Sequence, residues 1–126
     1  LPNTCYVSLW FIKLNFLMKT LKLTLKKKWF DMILFGMKKE EYREVKRYWI
    51  QRLCNEIEFE NNSSWEAVFK KYDFVEFTNG YNSKSPQVTL ECKGIEQGTG
   101  NPDWGAIGNE TYFIIKLGSE VSRKNC

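Results

Sequence analysis

The segment Gly36-Met37-Lys38-Lys39-Glu40-Glu41-Tyr42-Arg43 concentrates more chemistry than any other stretch of the 126-residue chain. A glycine that closes a helix in the left-handed conformation lets the backbone turn tightly into an extended stretch. On that stretch Glu41 and Arg43 stand two residues apart and share a face. Lys38 lies at the turn, where strict alternation need not hold. Glu41 would then be paired on both sides, by an ammonium and by a guanidinium, and would hold Arg43 in place. The remaining donors of Lys38 and Arg43 would serve a phosphate or the edge of a base. Lys, Glu and Arg also stand together on ordinary solvated strands, where such pairs contribute little, so spacing alone does not separate a site from a surface. The chain has no histidine, which excludes Ser-His and Cys-His triads and any His-ligated metal. Acid–base chemistry, if present, falls to Lys38 and Glu41.

Two further positions could contact a ligand. Five glycines fall within the fifteen residues Gly94–Gly108, and this loop offers Trp104 between Pro102-Asp103 and Gly105. An aromatic ring on such a loop can stack on a base, worth about 1–3 kcal/mol per base; it can equally plug one end of a barrel. Asn79, with Tyr81, sits at a turn and could line the same cleft, although Asn-Gly is also ordinary turn chemistry. The loop has neither a G-x-G-x-x-G nor a Walker pattern, so nucleoside-triphosphate chemistry is not indicated. Lys26-Lys27-Lys28, with Lys19 and Lys22, could track a phosphate backbone or simply be solvated.

The elements that must position these residues are legible in the hydrophobic periods. Thr20–Lys26 alternates Leu21, Leu23 and Leu25 with polar residues, as a half-buried strand does. Residues 28–35 put Trp29, Met32 and Ile33 on one side of a helix that ends at Gly36. Lys38–Val45 is extended, and Val45, Tyr48, Trp49 and Leu53 then follow helical spacing. Ser63-Ser64-Trp65-Glu66 reads as a capping box opening a helix with Trp65, Val68, Phe69 and Tyr72 on one face. Strands are expected at Asp73–Thr78, Gln87–Ile95 and Thr111–Leu117, the last ended by Gly118. Trp29, Trp49 and Trp65 all fall at core spacing. Five strands and roughly three helices make an α+β domain with a curled sheet or partly closed barrel.

Charge is distributed unevenly. Lys19–Arg52 carries eleven basic and four acidic residues, whereas residues 53–126 carry seven basic and eleven acidic ones. A basic first half is the footprint of a polyanion binder, or of a surface that pairs with the acidic half. The four cysteines are far apart, without C-x-x-C, and no secretory signal is evident, so reduced thiols in a cytoplasmic protein are expected. Residues 1–17 are apolar and aromatic with Lys13 as their only charge, too short for a membrane span. They are read as an extension preceding a natural start at Met18, followed by a domain over 18–120 and a tail over 121–126.

Gly36-x-Lys38-x-x-Glu41-x-Arg43 resembles the G-x-K-x-x-E-x-R signature of the ASCH domain, a family of the PUA-like superfamily. The aromatic helix running into Gly36, the stretch FVEFTNGY and the closing YFIIKLG are similar to those of small bacterial and phage members, over about residues 20–118. The resemblance implies a PUA-like β-barrel of about five to six strands with two or three flanking helices. It also implies a cleft beside the signature that binds RNA or a modified nucleobase or nucleoside; no metal, no cofactor and no membrane are expected, and a monomeric state is. Lys38, Glu41 and Arg43 would form the cleft floor, and Asn79 and Trp104 its rim. Some members are amidohydrolases acting on acetylcytidine, and others are described as ribonucleases, which makes a hydrolase using Lys38 and Glu41 the alternative. The amidohydrolases resemble this chain at Lys38 but carry Thr in place of Glu41, and have a Glu-bearing helix where this chain has its glycine-rich loop. A module whose basic face docks an acidic protein is the third reading.

Overall fold

The computed structural model describes residues 18–55 and 68–126. The expected extension over 1–17 and the capping box at Ser63–Glu66 lie outside the described residues. Strand β1 (Thr20–Thr24) leads into helix α1 (Lys27–Leu34), then β2 (Glu40–Glu44), helix α2 (Arg47–Leu53), β3 (Phe74–Thr78), β4 (Gln87–Thr99) and β5 (Thr111–Lys124). The sheet order is β1-β3-β4-β5-β2, with β1 parallel to β3 and every other pair antiparallel. The described chain is therefore α+β, with a curled five-stranded mixed sheet and two helices.

Each element buries the face its sequence marks. Leu21 and Leu23 of β1 point inward with Leu25 beyond them, and Phe30 and Ile33 of α1 cover them. Val75, Phe77, Val88, Phe113 and Ile115 complete the main core. Helix α1 ends in a Schellman motif. Gly36 takes φ +75°, its N–H donates to the Ile33 carbonyl at 3.0 Å, and the Met37 N–H donates to the Met32 carbonyl at 2.8 Å. The curl comes from β4, whose pairing with β5 slips at Thr89/Leu90, Leu90/Cys92 and Cys92/Gly94. Such bulges bend a strand and increase its twist, and here they bring the outer strands β1 and β2 toward one another.

Three expectations change. Val68–Tyr72 is not helical: Phe69 forms an antiparallel bridge with Cys54 and packs edge-on against Phe113 at 5.6 Å between ring centroids. The glycine-rich stretch is strand as far as Thr99, where Gly98 pairs with Tyr112. Gly118 does not end β5, which continues to Lys124 paired with the start of β4, so 121–124 is sheet and not tail. A Cβ on Gly118 would lie 3.0 Å from Glu91 Cβ, so the glycine serves close approach between strands.

Candidate functional site

The cleft lies at the seam of the curled sheet, between β1 and β2. It encloses about 660 Å³ and is lined by β1 and the residues after it, Trp29 of α1, Glu41–Glu44, helix α2, and the loop before β5. Among the described residues its charged lining is five cations (Lys22, Lys26, Arg43, Lys46, Arg52) against two carboxylates (Glu41, Glu44), and Glu44 pairs with Lys46 at 3.2 Å.

Glu41 is opposite Ile115 and Arg43 opposite Phe113, so both side chains project from the sheet face that carries the main core. This is why Glu41 is only 5% exposed. Its Oε1 accepts from the Tyr42 N–H at 2.9 Å and lies 3.3 Å from Arg43 Nη1 and 3.6 Å from Lys38 Nζ. Its Oε2 is buried and has no hydrogen-bond partner among the described residues. Arg43 bridges the seam: Nη1 donates to the Tyr42 carbonyl on β2 at 3.0 Å and Nη2 to the Thr24 carbonyl on β1 at 3.3 Å. Burial pulls its guanidinium below the ordinary arginine value, Glu41 opposes this, and neighbouring Arg52 reinforces it. Arg52 in turn donates to the Lys22 carbonyl at 2.6 Å. Two guanidiniums thus occupy outward carbonyls of β1, an edge that would otherwise be open to strand addition.

Lys38 stands behind the cleft wall and does not line it. It is 1% exposed, and its ammonium donates to the carbonyls of Glu40 at 2.6 Å and Trp104 at 3.0 Å. Burial lowers its pKa, while ion pairing with Glu41 works the other way. The expectation of a Lys38 donor facing the ligand is therefore corrected: those donors are spent on backbone carbonyls, and Lys38 positions Glu41 and the loop. Asn79 is corrected as well. It does not line the cleft, and its amide donates to the Leu25 carbonyl at 2.9 Å, tying the turn after β3 to the segment that follows β1. Tyr81 is fully exposed and also stands outside the cleft lining.

Trp104 lines the cleft and packs against the second cluster of Tyr42, Ala106, Tyr112 and Ile114. The loop that carries it is docked by close approach. Gly105, at φ +102°, sits against the Trp29 ring, and the Asn101 N–H donates to Tyr42 Oη at 2.9 Å. The Tyr42 hydroxyl donates to Glu40 Oε1 at 2.8 Å, and burial pushes its pKa up to about 12.

The helical spacing of Trp29 and Trp49 predicts core positions alone. Both pack against it, yet both also line the cleft. Trp49 faces two guanidiniums, with Arg43 at 5.0 Å and Arg52 at 5.5 Å from its centroid. The i, i+3 spacing of Trp49 and Arg52 could have signalled that pairing. Among the described residues no group of three or more His, Cys, Asp or Glu is placed to hold a metal ion, and no helix is long and apolar enough to cross a membrane. No family model matches the chain, and neither curated proteins nor solved structures yield a match.

Proposed function

We propose that this chain binds RNA or a nucleobase-containing ligand in the seam cleft, with Glu41 accepting from a base N–H and the cationic wall taking phosphate. One observation carries the reading: the Oε2 of Glu41, a buried carboxylate oxygen, has no hydrogen-bond partner among the described residues, in a cleft lined by cations. An unsatisfied buried polar group costs about 1–3 kcal/mol, and more when charged. A bound amino or imino N–H relieves that cost, as carboxylates do when they accept from a cytosine amino group. Half-buried Trp29, Trp49 and Trp104 supply faces for stacking. The resemblance of Gly36-x-Lys38-x-x-Glu41-x-Arg43 to the ASCH signature points the same way, toward a PUA-like RNA-binding module. Hydrolysis of a nucleoside or RNA has less support, because the Lys38 ammonium is enclosed and engaged by two carbonyls.

The test is fluorescence anisotropy with labelled tetraribonucleotides, one for each base, against the unsubstituted protein and Glu41→Gln. The amide presents a donor where the ligand needs an acceptor, so affinity should drop at least tenfold for the preferred base, with melting still cooperative. If no tetramer binds, or if Glu41→Gln binds as tightly as the parent, the reading is wrong. Arg52→Gln, on the cleft rim, provides a second variant should Glu41→Gln not fold.

A further inference from the structure

Trp104 lines a second cavity as well as the cleft. This one encloses about 300 Å³ and is formed by Lys39, Glu40, Lys93, Trp104, Lys116 and Leu117. Three separate elements contribute its lysines: the turn after Gly36, β4 and β5. The carboxylate in its lining, Glu40, is occupied by the Tyr42 hydroxyl at 2.8 Å, and Lys116 pairs with Glu96 at 3.0 Å across an exposed surface. Lys39 and Lys93 are exposed. The partition between the two cavities is one hydrogen-bonded unit, because buried Lys38 joins the carbonyl of Glu40 to that of Trp104. It stands at β2, the outer strand of the sheet, where a ligand can pass over the edge.

We infer that the ligand is a single strand of several nucleotides, one base seated in the cleft and the following phosphates crossing Trp104 into the Lys39–Lys93–Lys116 cavity. The inference rests on the cleft reading above and adds to it the chain length of the ligand and its direction of exit. A free nucleoside would leave Lys39 and Lys93, exposed in the lining of the second cavity, unused. A phosphodiester chain matches them, and the exposed edge of Trp104 can support the base between the two cavities.

The experiment measures binding of cytidine 5′-monophosphate and of tri- and pentacytidylate to the parent and to the double variant Lys39→Gln, Lys93→Gln, at several salt concentrations. In the parent the pentamer should bind at least tenfold tighter than the mononucleotide. The double variant should lose that gain, keep its mononucleotide affinity, and show a salt slope shallower by about 0.7 for each phosphate contact removed. Equal affinity for mononucleotide and pentamer overturns the inference and leaves the cleft reading standing. A length gain that survives in the double variant overturns the second cavity as its source. If none of the three probes binds, this inference fails, and the cleft reading is decided by the four-base tetramer assay.

Discussion

Glu41 shows why residue type alone does not define a site. The same carboxylate on a solvated strand would be hydrated on both oxygens; on the core-facing side of β2 one oxygen is shared by three donor groups and the other has none among the described residues. Tyr42, its neighbour on β2, gives a test that needs no ligand. Its hydroxyl holds its proton to about pH 12 when folded, whereas an unfolded tyrosine loses it near 10.0. Between those values the folded state binds more protons than the unfolded state, so stability falls as pH rises. Below pH 10 the contribution is fully present; the whole difference is worth roughly 2–3 kcal/mol. In urea titrations from pH 9 to 12, the stability advantage of the parent over Tyr42→Phe should shrink across that window. An advantage constant with pH would show that the hydroxyl is not held as described.

At the scale of elements, the site depends on backbone that only glycine accommodates. Gly36 closes α1 so that Lys38 and β2 follow at once, and Gly105 brings the loop flat against Trp29. A Cβ on Gly105 would lie 2.9 Å from Trp29 Cζ2, at a φ of +102° that side chains rarely adopt. Gly105→Ala should cost about 1–2 kcal/mol from the backbone alone, and should lift the loop from Trp29. The measurement is urea denaturation with acrylamide quenching of tryptophan fluorescence: lower stability together with greater quenching is expected. Unchanged quenching would mean the loop is not docked through this glycine. The helix-to-strand passage at Gly36 was legible because a left-handed glycine after an apolar helical period is a local signal. The course of Val68–Tyr72 was not, because its apolar spacing fits a helix equally well and the bridge to Cys54 is a long-range event.

For the whole molecule, the end of β5 shows the same division. Residues 119–124 are exposed and, Val121 apart, polar, with no hydrophobic alternation to mark a strand, yet they pair with Gln87–Leu90, which in turn pair with β3. Truncation after Gly118 should therefore destabilise the fold by at least about 1–2 kcal/mol, the net worth of a few ladder hydrogen bonds, seen as a lower melting temperature by circular dichroism. An unchanged melting temperature would restore the tail. The sequence by itself determined the α+β class, the period of each short strand, the glycine stop of α1 and the shared face of Glu41 and Arg43, all consequences of spacing along a few residues. Tertiary structure alone decided which side of the wall Lys38 occupies, that Asn79 ties its turn to the segment after β1, and that Trp29 and Trp49 meet Arg43 and Trp104 around one cleft. Those outcomes depend on how far β4 bends, which is set by bulges between strands distant in sequence, and no local period encodes that closure.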